Sequence, residues 1–250
     1  MDNWVLCPFR NNSALALAGI KSILSQSIPV RIFAIDNDSR DNTPQLLESL
    51  GHEHIVTHHS PQLGVAGGWN AGLRYLFQVE GAERVLVVNQ DVQLLPTTYE
   101  ALDAERAEFV STVSTHDKES LKTYKNSSGL KRPHPDFSCF LIGRKCYATV
   151  GPFDETFYPA WFEDNDYHIR AARAGIELYC IDMPFYHYAA GTVKGASEQE
   201  RAEYYDPAFR KSREYFHSKW GVYPGTPEYE ALCTPSRPDQ EGNKEDSNST

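Results

Sequence analysis

Three carboxylates fall within four residues in the segment Trp161-Phe162-Glu163-Asp164-Asn165-Asp166. The spacing that follows predicts a helix over 164–175, and a helix N-terminus stabilises negative charge. Phe157, Tyr158, Trp161 and Phe162 stand beside these acids. Rings next to carboxylates suit a sugar: the ring packs on the sugar's apolar face while an acid takes a hydroxyl proton. A capped, solvated acidic turn explains the same letters. For Asp166 that plainer reading is preferred, with Arg170 as its partner one helical turn on.

Asn89-Gln90-Asp91 closes an apolar run, Arg-Val-Leu-Val-Val over 84–88. An acidic residue just past a buried strand can hold a divalent cation with little loss of packing, and a simple turn accounts for the triplet equally well. His187, in Phe185-Tyr186-His187-Tyr188, is a ligand only in company. Imidazole and carboxylate together suit Mn²⁺ or a similar ion, so Asp91 and His187 matter as a pair.

The stretch Leu63-Gly64-Val65-Ala66-Gly67-Gly68-Trp69-Asn70-Ala71-Gly72 lacks the Gly-Lys-Ser/Thr of a P-loop and is no clean GxGxxG after the first strand. An ordinary kinase or a Rossmann dehydrogenase is therefore disfavoured. Glycines ahead of a helix still let backbone approach a phosphate. Tight helix–sheet packing is the other reading, preferred for Gly72. Asp36 and Asp38 end the second predicted strand, where a base or ribose could be read; an Asx-turn covers Asp41 and competes for Asp38.

The elements that must position these residues alternate. Strands are predicted at 4–7, 30–35, 55–57 and 84–88. Helices are predicted at 13–25, capped by Ser13, and from Thr43-Pro44, and the glycine stretch leads into a third through Tyr75 and Phe77. Strand–helix alternation argues for a doubly wound α/β sheet, whose ligands sit at the carboxyl ends of the strands. The polar clusters at 36–41, 64–72 and 89–91 all lie there. Further on come strands at 109–113, 138–143 and 178–181, and an amphipathic helix at 202–220 that packs on the sheet or makes a homodimer contact. The polar, locally basic segment His116–Pro135, with Lys118, Lys122, Lys125, Lys131 and Arg132, reads as a loop or as an acceptor or diphosphate flap. Residues 234–250 read as a disordered tail.

With 250 residues, 40% hydrophobic and 23% charged, the chain has the make-up of a soluble globular domain. A net charge of −10 excludes broad nucleic-acid binding and favours a cation between the protein and any diphosphate ligand. No apolar run spans a bilayer and the N-terminus is no signal peptide, so a cytoplasmic protein is expected. The five scattered cysteines predict reduced, packed thiols.

Taken in order, the segments at 36–43, 64–70, 89–91 and 151–157, running on to 163–166 and Arg170, with His187, resemble family-2 glycosyltransferases. The resemblance covers about residues 4–221 and is greatest to the rhamnosyltransferase-like branch. It implies a GT-A fold: one domain over 1–223, with a nucleotide-sugar-binding half at 1–95 and an acceptor and catalytic half at 96–223, then an extension at 224–250. It implies that Asp91 and His187 bind Mn²⁺ or Mg²⁺ on the diphosphate, that Asp164 is the general base, and that Glu163 supports it or holds the acceptor. It implies a donor site from Pro8, Phe9, Asp36, Asp38, Gly67, Asn70, Asn89 and Gln90, and acceptor contacts from Trp161, Phe162 and Ser138. Gln62 stands where Asn is usual, so no role is carried to it. The reaction implied is inverting transfer from a nucleoside-diphosphate sugar to a hydroxyl of a glycan, lipid-linked sugar, protein or modified nucleobase. A nucleotidyltransferase on a similar sheet and a catalytically inactive sugar-nucleotide or glycan-binding module are the rival readings.

Overall fold

The computed structural model describes residues 3–51, 55–125, 129–188 and 191–235. Of the expected tail at 234–250, residues 236–250 lie outside the described residues. The first half alternates as its periodicity predicts: β1 (Trp4–Phe9), α1 (Ser13–Leu24), β2 (Arg31–Asn37), α2 (Thr43–Ser49), β3 (Ile55–Ser60), α3 (Gly64–Gln78) and β4 (Arg84–Val88). Then follow β5 (Val92–Gln93), α4 (Thr98–Ala104), β6 (Phe109–Thr115), α5 (Lys118–Thr123), β7 (Lys131–Arg132), β8 (Cys139–Gly143) and α6 (Arg144–Val150). The chain continues through α7 (Glu163–Arg173), β9 (Tyr179–His187), α8 (Gly191–Gly195), α9 (Glu198–Glu200), a π-helical turn (Arg201–Tyr205), α10 (Asp206–Trp220) and α11 (Pro227–Leu232).

All described strands join one sheet in the order β3-β2-β1-β4-β8-β6-β9-β5, with β7 pairing β9. β3, β2, β1 and β4 are parallel, β8 runs against its neighbours, and β6 and β9 are again parallel. The strand β4 shows why it reads as an unbroken apolar run. Leu86 and Val88 face one core layer while Val85 and Val87 face the other. A strand covered on both faces needs no polar alternation, and each such side chain buried contributes roughly 1.5–3 kcal/mol.

Local starts differ from the expected ones by one residue. Asn12, not Ser13, caps α1: its side chain accepts the Leu15 N–H while its backbone is left-handed at φ 60°. Thr43 is the first residue of α2 and is wholly buried; Asn42 precedes it. The glycine stretch is itself helical: Gly64, at φ +72°, turns the chain directly into α3. A Cβ on Gly72 would collide with Leu6 Cδ1, so this glycine serves the packing of α3 on β1. The segment 116–134 contains α5 and β7 rather than only loop. The packed structure also runs past 223: α11 buries Tyr229 and Cys233 follows it into the interior. All five cysteines are buried and free.

Candidate active site

The carboxyl ends of β1, β2 and β4, the end of β9 and the start of α7 surround one cavity of about 700 Å³. That volume lies within the roughly 300–1,000 Å³ of small-molecule sites. Of the residues singled out in the sequence, Pro8, Phe9, Asn89, Gln90 and Asp91 line it from the first half, and Ser138, Trp161, Phe162, Glu163, Asp164 and His187 from the second. Asn89 and Ser138 meet directly, the Asn89 N–H donating to the Ser138 carbonyl at 3.0 Å.

The short strand β5 is what joins Asp91 to His187. Val92 pairs with His187 in the antiparallel β5–β9 register, and Tyr188 N–H donates to the Asp91 carbonyl at 2.9 Å. This leaves His187 Nε2 3.3 Å from Asp91 Oδ1, both side chains largely buried. The His187 carbonyl is 2.9 Å from the His116 ring Nδ1. Among the described residues no group of three or more His, Cys, Asp or Glu gathers into a full metal cage. A carboxylate and an imidazole on the wall of a substrate-sized cavity fit a Mg²⁺- or Mn²⁺-type ion, which takes few protein ligands and completes its shell with phosphate oxygens and water.

The start of α7 is unusually shaped. Trp161 and Phe162 both have positive φ, 76° and 73°, a costly conformation for large side chains that persists only where surroundings fix it. Here aromatic contacts fix it. The Trp161 ring meets Tyr205 and Phe209 edge-on, and Phe162 contacts Phe209 and Phe216. The turn sets Glu163 and Asp164 at the first helical positions, on the cavity wall. Burial, joined by the charge of Asp136, raises the Asp164 carboxyl above its ordinary range against the Asn165 N–H that bonds it at 2.7 Å. Burial and then the Asp164 charge push Glu163 well above the usual carboxylic range. Asp166 has the separate role its spacing predicts: fully buried, it accepts from Arg170 Nε at 2.8 Å and Trp220 Nε1 at 3.0 Å, with Lys219 Nζ at 2.6 Å.

Asp36, Asp38, Gly67 and Asn70 are not among the residues lining this cavity. Asp36 is buried against His59 Nδ1 at 3.0 Å and accepts the Ser39 N–H. Asp38 sits at φ 62° beside Arg10 and Arg40. Asn70 is buried and ties α3 to the 153–155 turn, donating to the Phe153 carbonyl and Glu155 and accepting the Phe153 N–H. Gly67 packs against Leu63, where a Cβ would approach to 3.0 Å. Gln90, though on the wall, has its amide bonded both ways to the Arg10 backbone at 2.9 Å, locking the end of β4 to that of β1.

Sequence reasoning missed several wall residues. Arg10 donates to the carbonyls of Asn37 and Asp38. Asn37 accepts from Leu63 N–H at 2.6 Å and donates to the Gly64 carbonyl at 3.0 Å, fixing the start of α3. Gln62 donates to the Tyr204 hydroxyl at 3.0 Å. Trp69, Asp136, Tyr205 and Phe209 also line the cavity. Asn37 ends β2, so position at a strand end was the signal available for it, while Trp69 lies within α3 and had only the glycine stretch around it.

The family model of glycosyl transferase family 2 matches residues 4–153. A galactofuranosyl glycosyltransferase of Leishmania donovani is 37% identical over 79 residues, 30% of this chain and 18% of that relative. The chain thus spans less than a fifth of the length of that relative. Among solved structures, the Pyrobaculum calidifontis mannosyltransferase PcManGT in complex with GDP-Man and Mn²⁺ aligns with a TM-score of 0.57 at 15% identity, over 92% of this chain and 77% of that one. S. aureus TarS in complex with UDP-GlcNAc aligns with a TM-score of 0.60 at 12% identity, over 93% of this chain and 70% of that one.

Proposed function

This chain belongs to glycosyl transferase family 2 and has the GT-A fold, and from that premise we propose that it transfers a sugar from a nucleoside-diphosphate sugar to an acceptor hydroxyl with inversion. The observation that carries the proposal is one cavity walled by Asp91 with His187, and by Asp164 among aromatic rings. Residues 1–95 form the donor-binding half and 96–223 the acceptor and catalytic half. Donor complexes in PcManGT and TarS support a nucleotide sugar here; the rhamnosyltransferase-like motifs add deoxyhexoses to the hexoses to be screened.

In this mechanism Asp164 accepts the proton of the acceptor hydroxyl. That oxygen bonds to the anomeric carbon as the bond from that carbon to the diphosphate oxygen breaks, and the electron pair leaves with the nucleoside diphosphate. Attack opposite the leaving group inverts the centre. A carboxyl raised by burial and by Asp136 is a stronger base than a solvated one, which suits proton removal near neutral pH. Asp91 and His187 would hold a divalent cation; when bound, it offsets the charge on the departing diphosphate. Trp161, Phe162, Tyr205 and Phe209 supply flat apolar surface for a sugar ring and exclude water.

A thermal-shift screen of UDP-, GDP- and dTDP-sugars, each with Mn²⁺ and Mg²⁺, tests the reading. Stabilisation that needs both nucleotide sugar and metal, with nucleoside diphosphate as product, is the expected result. Pyrophosphate release from a nucleoside triphosphate would replace this reading with nucleotidyl transfer.

A further inference from the structure

Two carboxyl groups of the same helix are buried to similar degree and treated in opposite ways. Asp166, wholly buried, is met by Arg170, Trp220 and Lys219. Glu163 is 6% exposed and lines the cavity, yet its Oε2 is buried with no hydrogen-bond partner among the described residues, and it makes no ion pair there. A carboxyl kept for structure would be satisfied as Asp166 is, since an unpaired buried polar atom costs about 1–3 kcal/mol and more when charged. A wall residue of a substrate cavity whose carboxyl group carries a buried, unpartnered oxygen is an acid left for a ligand.

We propose that Glu163 acts as a neutral carboxylic acid that holds a second hydroxyl of the acceptor, so that the acceptor is a polyhydroxylated ring rather than a lone alcohol. The inference rests on the glycosyltransferase reading above. Glu163 and Asp164 are consecutive on a helix, so their side chains diverge by about 100°, yet both line the cavity. They therefore address different groups on one acceptor. Asp164 takes the proton of the reacting hydroxyl; Glu163 bonds a neighbouring hydroxyl and fixes which one reacts. A protonated acid both donates and accepts, as a sugar hydroxyl does. The titratable groups that share these walls are Asp164 on the same helix, and Arg10, Asp91, His134, Asp136, Cys180, His187 and Tyr205 from other elements. Burial and the Asp164 charge favour the neutral form of Glu163, which leaves one negative charge at the start of α7 for the base. In this scheme Glu163 is a positioning residue with respect to Asp164 and a binding residue with respect to the acceptor.

Two measurements on the full chain decide it. In the first, the side-chain ¹³C signal of Glu163, assigned by its loss in E163Q, is followed through pH. It is expected to titrate above the exposed glutamates and to move down in D164N; titration together with them overturns the proposal. The second uses methyl pyranosides as acceptor probes, with cyclohexanol as the single-hydroxyl control. E163A and E163D are expected to raise acceptor KM about tenfold with a smaller change in kcat, the loss of one neutral hydrogen bond. E163Q, which keeps a neutral donor and acceptor, is expected to raise KM at most about threefold. Equal damage in E163Q and E163A, or cyclohexanol serving as well as the pyranosides, overturns the proposal, as does transfer to no pyranoside. Failure of the wild-type chain to release nucleoside diphosphate from any donor would instead sink the glycosyltransferase reading, while the ¹³C titration still reports on Glu163.

Discussion

His168 lies on α7, one turn beyond Asp164, and is 4% exposed. Its ring is 5.8 Å from that of His134 and 6.5 Å from that of Tyr229. Burial, reinforced by His134, lowers its pKa from 6.5 to about 4. A base whose folded-state pKa is depressed gains its proton first in the unfolded chain. Its neutral ring therefore costs nothing above pH 6.5, and the fold loses stability as pH falls from 6.5 toward about 4. Linkage gives a loss of about 2 kcal/mol at pH 5 and about 3 kcal/mol at pH 4 from this one side chain. Other groups titrate in the same window: Glu163 and Asp164, raised in the folded state, act in the opposite direction. The assay is accordingly a difference. Urea unfolding of the wild type and of His168→Phe is measured at pH 7, 5 and 4, and the change of stability with pH is compared. The wild type is expected to lose about 3 kcal/mol more than the variant by pH 4. Parallel pH profiles would refute the argument that this ring is held neutral by burial.

Removing the Asp166 carboxylate leaves Arg170, Lys219 and Trp220 without their shared buried acceptor; Asp166→Ala should cost about 3–5 kcal/mol in urea unfolding. Gly72→Ala drives a methyl group into Leu6 and should cost about 1–3 kcal/mol by overpacking, visible as a lower Tm. Asp91→Asn and His187→Gln should each weaken Mn²⁺ binding in the presence of a nucleoside diphosphate by about tenfold or more, measured by titration calorimetry; unchanged metal affinity in both would remove the pair from the site.

The parts of the fold that were legible in the sequence are those where one local signal suffices. The run 84–88 is buried on both faces and reads as β4 at its observed limits. β9 was harder. Its expected end at 181 precedes Pro184, a residue that argues against a strand, yet the strand continues to His187. The β6–β9 register shifts between Ser111 and Val113, and Val113 pairs with Pro184 beyond the irregularity. The helix expected from 202 opens as a π turn through Tyr205, with Pro207 in the first turn of α10; a residue with no N–H cannot carry the regular ladder. At the site, Asp91 and His187 declared themselves by type and by position at strand ends, and Glu163 and Asp164 by type at the start of a helix. Gln62 and Tyr205 did not, because their contacts come from residues distant in sequence. Asn70 carried a plausible donor role in the sequence, and in the structure its amide is committed to Phe153 and Glu155.

No helix among the described residues is long and apolar enough to cross a membrane, and Phe209, on the α10 wall of the cavity, is 41% exposed. The proposed proton transfer takes place at the start of α7. The most direct test is Asp164→Asn, assayed for nucleotide-sugar binding by calorimetry and for sugar transfer by release of nucleoside diphosphate, both with Mn²⁺. Asparagine keeps the shape but takes no proton, so the variant should bind donor with affinity within about threefold of wild type and lose transfer by about 10²-fold or more. Transfer at the wild-type rate would contradict the assignment of Asp164 as the base.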